Sequence, residues 1–274
     1  MIQQFKYCKP GVGASWLLVA LVFVGSLVGG MLTFAWQAVP QSLTYLIMMC
    51  FPLAACWWMG AQAQLRGEPA LRIDAPHFGK LGAFGVLALA ALAMLSLSVV
   101  IEPTTSFIPM PDSIKAIFEK AFVESALWDM IVSTCILAPL LEELLCRGIM
   151  LRGMLARRKA PWKAIVWSAL IFAVMHMNPW QSIPAFLIGL LLGWVYYRTH
   201  SLWATIFLHC LNNSISTVIS RVWADLPIDA GLKDVLPETT YWIVYVATAL
   251  LLAITLVILN EKTVSSQVQA PVDA

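Results

Sequence analysis

Charge is what this chain has little of. Asp, Glu, Lys and Arg make up 12% of its 274 residues, against about a quarter in soluble domains. With a mean hydropathy of +0.81, that scarcity excludes an ordinary water-soluble globule. The net charge of +2 supplies no basic field, and no nucleic-acid partner is expected. CxxC spacing is missing among the six cysteines (Cys8, Cys50, Cys56, Cys135, Cys146, Cys210), which argues against a disulfide framework or a structural metal site. They read as small apolar helix residues. A cleavable leader is not expected either. Lys6 and Lys9 precede an apolar run too long for a signal core, so the first helix reads as a retained anchor. No internal repeat is evident, which weighs against a transporter built from inverted halves.

What the chain has is long apolar runs. A helix needs roughly 20 apolar residues to cross a bilayer, and eight segments qualify: Ala14–Trp36, Leu43–Met59, Leu81–Ile101, Ala126–Arg147 (continuing as helix to about Arg158), Trp162–Asn178, Pro184–Tyr197, Leu202–Ile219 and Tyr241–Leu259. The fifth and sixth are short, which suits helices wrapped by others around a wet cavity. The expected fold is all-α: a polytopic membrane protein of about eight transmembrane helices with both termini inside. Orientation follows from the basic residues. Lys6, Lys9, Arg66, Arg72, Lys80, Arg147, Arg152, Arg157, Arg158, Lys159, Lys163, Arg198 and Lys262 fall at the inner ends and loops, against only Lys115, Lys120, Arg221 and Lys233 outside. The outer segments are acidic, with Glu102, Asp112, Glu119, Glu124, Asp225, Asp229, Asp234 and Glu238. Residues 113–124 place Ile114, Ile117, Phe118, Ala121 and Phe122 on one face behind Asp112-Ser113. They read either as an interfacial helix or as an extension of the fourth span. Gly25-x-x-x-Gly29 and Gly189-x-x-x-Gly193 predict close helix packing within the chain. Tryptophans near the span ends are belt anchors. The polar tail after Lys262 is expected to be disordered.

Inside the fourth run stand Glu142, Glu143 and Arg147. One charge near mid-bilayer costs roughly 2.5–3.5 kcal/mol on insertion scales, so such groups persist when paired, wet or useful. Four residues apart on a helix, Glu143 and Arg147 can pair, whereas Glu142 is turned about 100° away. One acid is braced and the other is free to work. Phe172 and His176 share a face at the end of the fifth span, and His209 and Asn213 share a face within the seventh. If the fourth and fifth spans form a hairpin turning near Lys159, Glu142 and His176 both lie roughly 25 Å along their helices from that turn. His209 lies roughly 14 Å from the turn near Thr199-His200 by the same rise. The three depths agree if the basic hairpin projects ~10 Å further than the second turn, at ~1.5 Å per residue.

Glu142-Glu143-x-x-x-Arg147, Phe172-x-x-x-His176 and His209-x-x-x-Asn213, in this order and in separate apolar segments, resemble the CPBP (Abi) family. That family includes the type II CAAX prenyl endopeptidases and bacteriocin-processing or immunity proteins. The resemblance covers about residues 125–220; the first three spans and the eighth carry no such motif. It implies an intramembrane endopeptidase in which Glu142 and His176 activate a water while His209 and Asn213 hold the oxyanion. Glu143, Arg147 and Phe172 are supporting residues. The physical reading agrees. Peptide hydrolysis needs a base near neutral pH, and desolvation raises carboxyl basicity toward that range. Arg147 would neutralise Glu143; the alternative is that it binds a substrate carboxylate.

No cofactor is favoured. A zinc ion held by Glu142, His176 and His209 is the open alternative, although HExxH is lacking and Asn213 is a poor zinc ligand. Cys146 has no partner beside it except Arg147 to activate it as a nucleophile. The expected organisation is residues 1–105 as N-terminal helices, 106–220 as the catalytic core and 221–274 as outer loop, last span and tail. The expected partners are the bilayer and a membrane-embedded or lipidated peptide substrate, with a bacterial inner membrane as location. The rival readings are a catalytically silent immunity or adaptor protein of the same fold, and a small transporter using the acids as a proton relay. Substrate identity and oligomeric state are not legible.

Overall fold

The computed structural model describes residues 2–106 and 108–263, so the expected disorder of the tail lies outside the described residues. The architecture is a helical bundle with nine principal helices among those residues: α1 (Val12–Ala35), α2 (Gln41–Leu65), α3 (Gly82–Ile101), α4 (Asp112–Glu124), α5 (Leu127–Ala156), α6 (Pro161–Val174), α7 (Pro179–Thr199), α8 (Leu202–Val222) and α9 (Glu238–Lys262). Six of them, α1, α2, α3, α7, α8 and α9, are long and apolar enough to cross a membrane, and α4 with α5 forms a further, bent unit. The chain is an integral, multi-pass membrane protein. Bulky apolar side chains such as Leu17, Leu27, Phe34, Phe84, Ile243 and Val257 face outward, as a lipid-facing surface requires.

The axes of α4 and α5 differ by 104°. Residues 113–124 are therefore a separate helix set across α5 and not its straight extension. The sixth span is longer than expected. Pro184 is no boundary but lies inside α7. The helix starts instead at Asn178-Pro179, where the Asn178 side chain accepts from Gln181 N at 2.9 Å and Pro179 occupies the first helical position. α6, at 14 residues, is short, as the sequence suggests.

Packing follows hairpins. α1 lies along α2, α6 along α7 and α3 along α9. Gly25 makes the first pair possible, since a Cβ there would meet the Met48 carbonyl oxygen at 2.4 Å. One buried cluster gathers α1, α2, α5, α6 and α7 around Leu145, Ile149, Met150 and Leu151. A second gathers α3, α7, α8 and α9 around Met94, Leu192 and Leu208. α7 contributes to both and joins the two halves.

α5 departs from regular α geometry at the place where its polar residues lie. Ile131–Leu137 and Leu144–Leu151 are π-helical and flank a short α-helical stretch, Ala138–Glu143. π-Turns inside helices often mark functional sites. Here they bracket the two glutamates.

Candidate active site

The site is built from five helices, and its buried charges come in a fixed order. Glu143 and Arg147 are both fully buried, and Arg147 Nη1 donates to Glu143 Oε1 at 2.6 Å. Arg147 Nη2 donates to the Gly189 carbonyl of α7 at 3.0 Å, and its guanidinium lies over the Phe172 ring, 4.6 Å from the centroid. The buried guanidinium is thus held by a carboxylate, a carbonyl and a ring face, with Nε alone lacking a hydrogen-bond partner. The pairing expected of Glu143 and Arg147 is present.

His209 of α8 completes this group. Its Nδ1 lies 3.0 Å from Glu143 Oε1. Because that oxygen also accepts from Arg147, it is a carboxylate acceptor, and Nδ1 carries the hydrogen. The other ring nitrogen, Nε2, lies 4.0 Å from Glu142 Oε2. Glu143 thus orients His209 toward Glu142. Phe172 is the packing surface between the imidazoles, edge-to-face with His176 at 5.0 Å and with His209 at 5.5 Å.

Glu142 points away from Glu143, as helical geometry predicts. Its Oε1 accepts from the Tyr45 hydroxyl at 2.7 Å. Tyr45 comes from α2, and that helix is held in register by Asp129 of α5. The Asp129 carboxylate accepts from Gln41 N at 2.6 Å and from Ser42 N at 3.0 Å, capping the N-terminus of α2 where an anion is favoured. One turn further along α2 stands Tyr45. Reading the sequence did not find this residue. Nothing local distinguishes a tyrosine in an apolar run, and its partner is 97 residues away.

His176 directs Nδ1 at the Phe172 carbonyl, 2.9 Å away. That oxygen can only accept, so Nδ1 donates and Nε2 is left as the basic nitrogen. The chain reverses directly after it, with Met177 in the left-handed region (φ 58°), and Asn178 then starts α7.

Asn213 has a second task. In the first π-helical stretch Ala138 N–H bonds to the Ser133 carbonyl. In that register the next donor, to Thr134, would be Pro139, which has no N–H. Asn213 Nδ2 takes its place, donating to the Thr134 carbonyl at 2.9 Å. One amide hydrogen is thereby committed and the other remains. Pro139 within a spanning run was the available sequence signal, since neighbouring side chains re-satisfy carbonyls freed by proline in membrane helices.

Glu142, His176, His209 and Asn213, with Tyr45 and Phe172, all line one cavity of about 780 Å³. Zinc takes its protein ligands at about 2.0–2.2 Å. Among the described residues, no three His, Cys, Asp or Glu side chains converge as metal ligands.

A multi-pass helical bundle thus holds a carboxylate and two imidazoles against one cavity. Residues 124–215 match the family described as type II CAAX prenyl endopeptidase Rce1-like, the CPBP/CAAX protease family that the three motifs resemble. Neither the curated proteins nor the solved structures gave a match.

Proposed function

We propose that this chain is an endopeptidase of the CAAX type that hydrolyses a peptide bond in a lipidated or membrane-embedded peptide by a metal-free glutamate mechanism, in a bacterial inner membrane. Glu142 and the basic Nε2 of His176 take the proton of a water as its oxygen attacks the scissile carbonyl carbon. His209, its Nδ1–H held by Glu143, turns Nε2 toward the oxyanion as a donor when that nitrogen carries a hydrogen, and Asn213 offers its uncommitted amide hydrogen. When the carbon–nitrogen bond breaks, the proton held by the base passes to the leaving amine. Arg147 balances Glu143, so that Glu143 serves as the orienting anion for His209.

The observation that carries this reading is that the four expected residues, from α5, α8 and the turn that ends α6, line one cavity. The test is cleavage of a prenylated peptide by the purified protein in lipid vesicles. Glu142→Gln and His176→Ala are expected to lower kcat by about 10²–10⁴, the usual size of a general-base contribution. His209→Ala and Asn213→Ala remove oxyanion donors, each costing about 10²–10³. Cleavage is expected to persist after exhaustive chelation; loss with specific rescue by zinc would overturn the metal-free mechanism. Full biological output from both Glu142→Gln and His176→Ala would instead identify a silent adaptor.

A further inference from the structure

The cavity is one-sided. Most of its lining comes from the half of each spanning helix far from the basic turns at Arg66 and Arg157–Lys159, and only Glu142 of α5 and His209 of α8 reach past their helix midpoints toward the basic end. Thr33 of α1, Gln41 of α2, Ser98 of α3, Phe122 of α4, Trp180 of α7 and Thr217 of α8 stand around it, and Glu142 is its deepest acid along α5. On the other side of Glu142 the molecule is solid. Leu145, Cys146, Ile149, Met150 and Leu151 are fully or almost fully buried. Beneath them Arg152 donates to the carbonyls of Phe5, Lys6, Cys8 and Leu71, fastening the N-terminal segment and the segment after α2 across that end.

The closed end carries most of the basic residues, including Arg66, Arg72, Lys80, Arg157, Arg158 and Lys159, while the open end carries Glu102, Asp112, Glu119, Asp229 and Glu238 with only Lys115, Lys120, Arg221 and Lys233 among them. Basic ends of membrane helices remain cytoplasmic. Resting on the protease reading above, we propose that the cavity is loaded from the non-cytoplasmic face, and that the substrate is a membrane-anchored peptide whose scissile bond enters from the outer side of the bilayer. A lateral path to lipid accompanies the opening. Gly30 and Thr33 line the cavity and are also exposed on the outer surface of α1, and α1 makes no substantial contact with α3 across the gap. The anchor of the substrate can stay in the outer leaflet while its peptide reaches inward. Glu142 lies roughly 22 Å along α5 from Leu127 at ~1.5 Å per residue. An extended strand of about seven residues covers that depth at ~3.3 Å each.

Single cysteines test the side of entry, in the full-length protein with Cys50 and Cys210 replaced by alanine. Thr44→Cys places a thiol on the cavity wall, and Lys80→Cys places one on the exposed basic end. A membrane-impermeant maleimide is added to right-side-out and to inside-out vesicles. Thr44→Cys is expected to label in right-side-out vesicles and Lys80→Cys in inside-out vesicles only. Labelling of Thr44→Cys from the face that labels Lys80→Cys, from both faces, or only after detergent would overturn the proposal. The labelling reads the side of access whether or not peptide is cut. An inactive protein labelled from the outer face would therefore remove the protease reading and leave the access side standing.

Discussion

Tyr45 and Asn213 show how two neutral side chains fix charged chemistry. The Tyr45 hydroxyl, 2.7 Å from Glu142 Oε1, leaves Oε2 as the oxygen nearer His209. A hydrogen bond to a charged group is worth about 1.5–3 kcal/mol. If Tyr45 serves only to hold the carboxylate, Tyr45→Phe keeps the ring packing and loses the orientation. The expected result is a fall in kcat of about 10–100-fold, the kinetic equivalent of that energy, with KM within a factor of two. An unchanged kcat, or a loss confined to KM, would reduce Tyr45 to a wall of the cavity. Asn213 joins its neighbours differently, through the Thr134 carbonyl that Pro139 leaves without a backbone donor. The same side chain thus closes a gap in α5 and presents a donor to the cavity.

At the scale of the helices, the motif residues were legible because each pair sits four apart in sequence, about one helical turn. Glu143 with Arg147 and Phe172 with His176 pair as that spacing requires. Three features were not legible. The π-helical stretches of α5 depend on tertiary contacts to Pro139 and Thr134, not on local periodicity. The start of α7 at Asn178 was obscured by Pro184, which a long membrane helix accommodates in its interior. The α2–α5 join through Asp129 links residues more than eighty positions apart, and no short motif records it. The α1–α2 contact sets the position of Tyr45 as well. At Gly25 an added Cβ would strike the Met48 backbone at 2.4 Å, whereas at Gly30 it would meet nothing within 4 Å. Gly25→Val is expected to force the helices apart at a cost of about 1–3 kcal/mol, lowering the thermal midpoint in detergent and the activity together. Gly30→Ala is expected to leave the midpoint unchanged. Equal midpoints for both variants would show that the two helices are not tightly apposed.

For the molecule as a whole, a cavity open at one end requires a seal at the other, and that seal rests largely on one guanidinium. Arg152 is buried and reaches four backbone carbonyls, those of Phe5, Lys6, Cys8 and Leu71, at 2.6–3.2 Å. Its planar fork suits several acceptors at once, whereas an ammonium on a flexible stem satisfies fewer. Removing the head in Arg152→Ala leaves those carbonyls without a donor, at about 1–3 kcal/mol for each one that stays dry. The chain can relieve that cost only by releasing the N-terminal segment into water. The expected outcome is a graded one. Arg152→Lys loses part of the thermal stability and Arg152→Ala loses more. In Arg152→Ala a protease added from the basic side cuts near Lys6 or Lys9 far faster than in the parent, while residues of α8 stay protected. Equal cutting rates in parent and variant would mean that hydrophobic contacts such as those of Cys8 and Phe5 hold the segment by themselves. The closed end would then be a property of the core and not of this one cation.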